Sequence, residues 1–419
     1  MKDLLDRGGA ILRLLEEAGY EGVYVGGMVR DLLCGREPRD IDITCSAPLE
    51  ALKTLFPAGK ILGPRGCEIF LLPLEKGHVQ IFSHGKSSLE KDLERRDLTV
   101  NALALRRRGE LVGSSEGVND VFDRLLRFNG RGEDRLAEDP LRALRLHRFA
   151  ATLPGFRADE NSAALCRTVR TALGGCPGER IGREVRLGLE GDAPLFLRGL
   201  RTAGLFEGVF PDSTLSEEDF SLLLQAERVL TEENAPLHLK AAGLFSFPEK
   251  NEPLDEERAS AAGKVLHPFA WGSAVTERIS ELVRLRNLLR RRTPPAVLAE
   301  LMDGKGPSFA ADLVQFTRSL SSSGPLQPML KENTLILLTM AQRKGMEEEL
   351  LPTGGEILRH FSLPPGRAVG ELRRRAAREN IEKGFADRGE VFAFLEKEFS
   401  ALQQKNRQLN SPVPHKNFS

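Results

Sequence analysis

The chain has 419 residues, and hydrophobic residues make up 41% of them, which is enough for two to four domains with substantial cores. Lysine plus arginine and aspartate plus glutamate both total 60, so the net charge is zero and any surface for nucleic acid must be local. Because no apolar run reaches about 18 residues, we expect no membrane-spanning helix.

The first residues and the cysteines indicate the compartment. Residues 1–19 are amphipathic and acidic, unlike a secretory signal peptide. None of the cysteines forms a CxxC pair, and their spacing is not that of zinc ligands. We therefore expect a cytoplasmic protein with reduced thiols and no zinc. The cysteines are Cys34, Cys45, Cys67, Cys166 and Cys176.

A strand, a Gly-Gly turn, a short helix and a second strand are predicted over residues 24–44. The strand formers before Gly26 stop at Gly26 and Gly27, and residues 28–33 suit a helix. Glycines at such a turn let the backbone approach a ligand closely, and the first amides of the following helix can meet phosphate. The pattern therefore predicts a phosphate-binding turn at Gly26 and Gly27, assisted by Arg30.

The second strand of this segment carries Asp40 and Asp42. Residues two apart in a strand point to one face, so both carboxylates converge while Ile41 and Ile43 face a core. Mg²⁺ prefers oxygen ligands and usually binds through one or two carboxylates together with substrate phosphates. Gly-Gly turns and Asp-x-Asp pairs are each common outside functional sites, but their combination here predicts a magnesium site at Asp40 and Asp42.

The motifs GGMVRD and RDIDI, residues 26–31 and 39–43, resemble the first motif of class II tRNA nucleotidyltransferases and bacterial poly(A) polymerases. The resemblance implies an α+β fold, with a polymerase β-like nucleotidyltransferase head followed by an all-helical neck, body and tail. It also implies two-metal nucleotidyl transfer with Asp40 and Asp42 as the catalytic metal ligands. Members of this superfamily often carry a third carboxylate on a later strand, where the strand HVQIF has Gln80 instead.

The segment RRDLTVNA, residues 95–102, resembles the second motif of the same family. The resemblance implies that Asp97 accepts a hydrogen bond from a ribose hydroxyl, which is the group that distinguishes RNA building blocks. It places Arg96 and Asn101 near the sugar and the triphosphate. Taken without the rest of the motif, the charged residues would instead be a solvated cluster.

A helix is predicted within residues 133–151, with Pro140 in its first turn. Asp139, Arg142, Arg145 and Arg148 recur every third residue, so the first of them share one face and the stripe winds slowly around the helix. We expect Arg145 and Arg148 to serve phosphates as charge-assisted donors. His147 lies off this stripe, and we interpret it as a packed helical histidine.

The segment EDPLR, residues 138–142, resembles the family's EDxxR motif, which acts as a protein template for the incoming base. Asp139 can accept from the amino group of cytosine or adenine, and Arg142 can donate to a ring nitrogen. Uracil and guanine place a carbonyl where the amino group is needed, which leaves buried polar groups unpaired. The pair is therefore predicted to accept CTP and ATP and to reject UTP and GTP.

The rest of the chain is predicted to be mostly helical. Residues 179–189 resemble the family's fifth motif, and we interpret Glu179 and Glu184 as partners of neck arginines. Residues 351–384 resemble the tail of bacterial CCA-type enzymes, which implies tRNA as the partner. The predicted domains are a catalytic head over 1–125, a base-reading neck over 126–190, a helical body over 191–350, a tRNA-binding tail over 351–403 and a disordered tail over 404–419.

The alternatives concern which nucleotides are added. The connection IFSHGKSSLEKDLERRD, residues 81–97, runs almost directly into the RRD motif, and shortening there resembles enzymes that add two cytidines and stop. CC addition is therefore favoured. Full CCA addition, A addition or poly(A) synthesis, and a non-catalytic RNA-binding protein on this scaffold remain open, as does the oligomeric state.

Overall fold

The structure, a computed structural model, divides into two compact units, Met1–Thr214 with Lys264–Ser273 and Leu215–Gly263 with Ala274–Ser419. The boundary between the two units therefore lies beyond the predicted end of the neck at residue 190, and the division into five predicted segments remains a prediction. The residues that the structure describes are 2–38, 40–63, 68–75, 77–85, 87–211, 215–247, 255–321 and 328–409.

A mixed seven-stranded sheet forms the centre of the first unit. Its strands are β1 (Gly22–Val25), β2 (Ile41–Cys45), β3 (Lys60–Leu62), β4 (Ile69–Pro73), β5 (His78–Ser83), β6 (Leu103–Leu105) and β7 (Leu111–Gly113). Their order across the sheet is β3-β4-β5-β2-β1-β6-β7, in which β2 and β5 are parallel and the other neighbours antiparallel. Ile41 and Ile43 are buried as predicted, which fixes the face that Asp42 occupies. The predicted α+β fold is confirmed.

Helices surround this sheet and continue after it. Those of the first unit are α1 (Lys2–Glu17), α2 (Gly27–Leu33), α3 (Leu49–Leu55), α4 (Leu89–Glu94), α5 (Ser115–Phe122), α6 (Gly132–Glu138), α7 (Arg142–Thr152), α8 (Glu160–Leu165), α9 (Arg170–Leu173), α10 (Gly178–Glu190), α11 (Ala193–Thr202) and α12 (Phe206–Val209). Two short strands, β8 (Leu125–Leu126) and β9 (Arg157–Ala158), pair in parallel, so the region after the head is helical apart from β9.

The helix predicted within residues 133–151 is interrupted. α6 ends at Glu138 and α7 begins at Arg142, so Pro140 lies between two helices rather than in the first turn of one. Asp139 has φ −152° and ψ 102°, because a residue before proline is pushed out of the helical region. Asp139 therefore does not share the helical stripe that carries Arg142.

His147 packs inside this part of the first unit. It is buried, and a Cβ at Gly199 on α11 would lie only 2.5 Å from its Nδ1. Burial lowers the pKa of His147 to about 4, so the ring is neutral near pH 7. The interpretation of His147 as a packed helical histidine is confirmed.

The secondary structure of the second unit consists of helices throughout its described residues. Its helices, together with α15, which begins in this unit, are α13 (Glu217–Glu232), α14 (Leu237–Leu244), α15 (Asp255–Leu266), α16 (Ser273–Leu285), α17 (Pro295–Lys305), α18 (Pro307–Leu320), α19 (Pro328–Gly345), α20 (Glu347–Leu350), α21 (Gly354–Phe361), α22 (Arg367–Glu382) and α23 (Arg388–Leu409). None of the described helices is long and apolar enough to cross a membrane.

The last three helices share a small core of their own. Ile357 on α21, Leu372 on α22 and Val391 on α23 are fully buried in one cluster. α23 continues to Leu409, so the helical part extends past residue 404, the predicted start of a disordered tail. Residues 410–419 of that predicted tail lie outside the described residues.

Candidate active site

The Gly-Gly turn meets residues of both predicted motifs. Gly26 has a φ of 70°, a conformation that favours glycine. A Cβ at Gly26 would lie 3.1 Å from Nη1 of Arg96 and 3.9 Å from Oδ2 of Asp42. The first motif and the second motif therefore converge here, and the missing side chain of Gly26 keeps the space between them open.

Asp40 and Asp42 differ in their surroundings. Asp40 is exposed just before β2, and Asp42 is half-buried within the strand. Burial and the charge of Asp40 raise the pKa of Asp42 to about 6, against the opposing charges of Arg96 and Arg30. A buried carboxylate beside a second carboxylate gains from a divalent cation, and oxygen ligands are those that Mg²⁺ takes. The two side chains therefore fit a magnesium ion.

Gln80 is the direct neighbour of Asp42 across the parallel pair β2 and β5. At this position on the adjacent strand, a third carboxylate could join Asp40 and Asp42. The structure therefore confirms that an amide, Gln80, occupies the position where a carboxylate was expected from the superfamily pattern. Within the described ranges, no group of three or more His, Cys, Asp or Glu side chains is placed to hold a metal. Any metal at this face would depend on Asp40 and Asp42 for its charged protein ligands.

The raised pKa of Asp42 predicts how stability varies with pH when no metal is bound. Ionised Asp42 destabilises the folded state relative to the unfolded state, because its pKa is higher when the protein is folded. This destabilisation is absent below the usual pKa of 3.8, grows as the pH rises toward 6, and is complete above pH 6. We expect Asp42→Asn to raise the free energy of unfolding by about 2 kcal/mol near pH 8 in chelator, and by well under half of that near pH 4.5. Urea denaturation followed by circular dichroism measures this, and equal gains at both pH values would contradict it.

A buried polar network runs from α2 toward α7. Nη1 of Arg30 donates to Oδ1 of Asn101 at 2.7 Å, and two other nitrogens of Arg30 donate to Asp31. Nδ2 of Asn101 donates to Oδ1 of Asp97, and Oδ2 of Asp97 lies 2.9 Å from Arg145. Buried networks of this kind hold their members in fixed positions. The guanidinium of Arg30 is engaged in this network, and its predicted contact with phosphate stays a prediction.

Asp97 retains an unused acceptor. Burial raises its pKa, but Arg145, the amide of Asn101 and the backbone N–H of Leu98 outweigh burial and hold the pKa of Asp97 below its usual value. Asp97 is therefore charged near pH 7. Its Oδ2 is buried without a hydrogen-bond partner, because the contact with Arg145 lacks hydrogen-bond geometry. A donor such as a ribose hydroxyl would satisfy this oxygen.

A cleft of about 570 Å³ lies beside this network. Its volume suits a nucleotide, and its lining is rich in arginine. Arg96, Asp97, Arg142 and Arg145 line the cleft, whereas Asp40, Asp42 and Asp139 do not. Among the described residues, the lining consists of Leu49, Glu68, Ile69, Phe82, Ser83, Asp92, Arg95, Arg96, Asp97, Arg142 and Arg145.

Asp92 binds two of these arginines, and it is a site residue that was not predicted from the sequence. Its side chain is buried, Oδ1 accepts from Arg95 and Oδ2 accepts from Arg96 at 3.0 Å. These pairs are three and four residues apart, which is the spacing of helical neighbours. That spacing, applied to the residues just before the RRD motif, could have identified Asp92 as the residue that positions Arg96.

The two predicted base-reading side chains are engaged with different partners. Oδ2 of Asp139 accepts from Arg180 on α10 at 2.7 Å, and Oδ1 accepts from the backbone N–H of Leu141. Arg142 donates to Glu138 and, at 3.1 Å, to the backbone carbonyl of Arg95. Arg142 therefore faces the cleft, while the carboxylate of Asp139 is held by α10.

Arg148 is held by neighbours on two helices. Its Nε donates to Glu184 on α10 at 2.9 Å, and its guanidinium lies 3.5 Å from the centre of the Phe149 ring. The predicted pairing of Glu184 with an arginine is confirmed. Among the described residues, Glu179 makes no such ion pair. A phosphate contact by Arg148 remains a prediction, and it requires the ion pair with Glu184 to be shared or opened.

Comparisons with known proteins identify relatives of this chain. Residues 23–66 and 73–127 match the family model of the poly A polymerase head domain. A CC-adding tRNA nucleotidyltransferase of Shouchella clausii is 37% identical over 180 residues, which are 43% of this chain and 47% of that protein. The chain thus spans about half the length of this relative.

Two further comparisons extend over more of the chain. A CCA-adding enzyme of Lactobacillus helveticus is 29% identical over 316 residues, 70% of this chain and 74% of that protein. The crystal structure of the Bacillus stearothermophilus CCA-adding enzyme in complex with CTP has a TM-score of 0.68 at 23% identity, covering 97% of this chain and 100% of that one. At this identity the likeness shows the fold. The resemblance read from the sequence motifs is confirmed.

Proposed function

We propose that this chain, whose residues 23–66 and 73–127 match the family model of the poly A polymerase head domain, transfers nucleotides from CTP to the 3′ hydroxyl of tRNA. The observation that carries the proposal is the meeting of Gly26, Asp42 and Arg96, because it joins both motifs at the edge of a nucleotide-sized cleft. The names of the relatives support the same reaction class.

The roles of the chain's own residues follow from their positions. Mg²⁺ held by Asp40 and Asp42 would lower the pKa of the attacking hydroxyl and stabilise the leaving pyrophosphate. Asp97 accepts from the ribose hydroxyl through Oδ2, which is in an ion pair with Arg145 but has no hydrogen-bond partner. Arg96, positioned by Asp92, donates to the triphosphate. Positioning and charge stabilisation therefore supply most of the rate enhancement, without a covalent intermediate.

Asp139 and Arg142 select the base. Arg142 lines the cleft and donates to a ring nitrogen, and the carboxylate of Asp139 accepts the amino proton of cytosine. For Asp139 to do so, its contact with Arg180 must open. Arg145 bridges this site to Asp97, which links base reading to the ribose site.

We favour CC addition over full CCA addition. β5 ends at Ser83 and α4 begins at Leu89, so only residues 84–88 connect the sheet to the helix before the RRD motif. A connection this short leaves little chain to reshape the cleft from cytosine to adenine. The CC-adding relative supports this specificity, while the CCA-adding relative, matched over 74% of its length, favours full addition.

The number of residues added to a tRNA that lacks its 3′ end separates these specificities. With CTP alone we expect two cytidines, and with CTP plus ATP we expect the same product because adenosine is not added. Gel electrophoresis of labelled tRNA measures the product length. A further adenosine would establish full CCA addition, and long adenosine tracts without cytidine would establish poly(A) synthesis.

The resemblance of residues 351–384 to the tail of bacterial CCA-type enzymes supports tRNA as the partner. The helices α21 to α23 of this region share a small hydrophobic core. A non-catalytic RNA-binding protein is the remaining alternative. It is disfavoured because the metal carboxylates and the base-reading pair are all present in the sequence. Absence of any nucleotide incorporation, with tRNA binding retained, would favour that alternative.

A further inference from the structure

A second cavity, of about 200 Å³, lies between α7 and α10. Arg145 and Arg148 on α7 and Arg180 and Arg183 on α10 line it, together with Glu184 and two leucines. We call it the arginine cavity. It shares Arg145 with the nucleotide cleft but has otherwise different walls.

The arginine cavity holds more positive charge than its own walls neutralise. Four guanidinium groups face one carboxylate, Glu184, which is paired with Arg148. The ion pairs of Arg145 and Arg180 are to Asp97 and Asp139, which lie outside the lining. Like charges gathered in a concave site repel one another, and they attract an anion.

Two of the arginines that line this cavity have unused donors. Nε of Arg145 is buried without a hydrogen-bond partner. Arg183 is exposed at the cavity and makes no ion pair with any residue that the structure describes. An unused buried donor calls for an acceptor, and planar guanidinium groups bind phosphate oxygens with two parallel hydrogen bonds.

We propose that the arginine cavity is a phosphate-binding site separate from the nucleotide cleft. The shared chemistry is a phosphate group, supplied either by free pyrophosphate or by the backbone of an RNA strand. The cavity is small, so it accepts a phosphate group and excludes a whole nucleotide. Arg183 and Arg180 provide the contacts that the cleft does not have.

Phosphate in this cavity also affects Asp139. Arg180 lines the cavity and holds Oδ2 of Asp139 at 2.7 Å, so a bound phosphate competes with Asp139 for the same guanidinium. Release of that carboxylate would free it to accept from a base. This consequence rests on the proposed function, whereas phosphate binding itself does not.

The chain contains a natural reporter for this site. Trp271 is its single tryptophan, and Nε1 of Trp271 donates to the backbone carbonyl of Gly182 at 2.9 Å. Gly182 precedes Arg183 on α10, so the indole is hydrogen-bonded to the helix that lines the cavity. Binding in the arginine cavity is therefore expected to change the fluorescence of Trp271.

The test is calorimetric titration of the full chain with inorganic pyrophosphate in chelator, with Trp271 fluorescence recorded on the same samples. We expect saturable binding that Arg183→Gln weakens about tenfold or more, since a charge-assisted hydrogen bond is lost. Arg186→Gln on the same helix is the matched control and should bind normally, because Arg186 points to Glu190 instead. Arg96→Gln removes a donor of the cleft but none of the arginine cavity, so the change in Trp271 fluorescence on binding should be retained.

Other outcomes overturn the proposal. Absence of pyrophosphate binding would contradict the site. Binding lost in Arg96→Gln but kept in Arg183→Gln would place the anion in the cleft alone. Competition by a short single-stranded RNA, seen as displacement of pyrophosphate, would identify the RNA backbone as the source, and no competition would identify free pyrophosphate. Nucleotide addition without pyrophosphate binding would contradict only the proposed phosphate site. Pyrophosphate binding without nucleotide addition would contradict only the proposed function.

Discussion

Asp42→Ala is expected to leave the protein folded and to reduce nucleotide incorporation by about a thousandfold or more, because removing a metal ligand removes the charge stabilisation of the reaction. Asp42 lies beside Asp40, the Gly26 turn and Arg96, so its side chain is central to the proposed metal site. The loss should appear in kcat rather than in the affinity for tRNA, since no tRNA contact is removed. Single-turnover incorporation of labelled CTP measures it.

The control for this variant is Asp134→Ala on α6. Asp134 is exposed, and its 3.8 Å ion pair with Arg131 is at the surface. The Asp134→Ala variant tests whether the loss of any acidic side chain slows the reaction. We expect it to incorporate CTP at near the wild-type rate. Substantial turnover by Asp42→Ala, with the fold verified by circular dichroism, would refute the role of Asp42.

Asp139→Asn is expected to admit UTP. An asparagine amide can donate to the carbonyl of uracil, which the carboxylate of Asp139 repels. The preference for CTP over UTP, expressed as the ratio of kcat/KM, should therefore fall by about a hundredfold or more. Steady-state incorporation of each nucleotide, measured separately, gives this ratio.

Arg142→Ala provides the complementary measurement. It removes the donor to the ring nitrogen, so kcat/KM for CTP should fall while UTP gains nothing. Arg131→Ala, an exposed arginine before α6, serves as the matched control with unchanged selectivity. If Asp139→Asn and Arg142→Ala both keep the wild-type preference for CTP, the base is read elsewhere.

Local rules were sufficient for the first half of the site. The turn at Gly26 follows from the conformations that glycine allows. The position of Asp42 on the face opposite Ile41 and Ile43 follows from the two-residue repeat of a strand. The same rules identified the strand that carries Gln80, but they did not show that this strand lies next to Asp42. The pairing of β2 with β5 joins residues 38 positions apart in the sequence. Strand order is decided by packing of the whole sheet, which single-strand patterns do not contain.

The second half of the site depended on contacts that sequence spacing does not contain. The break at Asp139 was readable, because a residue before proline avoids the helix, yet the three-residue repeat of arginines favoured one continuous helix. The pairing of Asp139 with Arg180 spans 41 residues and depends on how α10 packs against α7. No local pattern specifies that packing.

A crystal structure of the chain with a non-hydrolysable CTP analogue and a divalent metal ion tests the central claim most directly. We expect the metal at Asp40 and Asp42, the triphosphate beside Gly26 and the edge of the cytosine ring against Arg142. One bound nucleotide would then connect the acidic pair to the start of α7. A nucleotide bound away from Asp42, or with its base turned from Arg142, would contradict the claim.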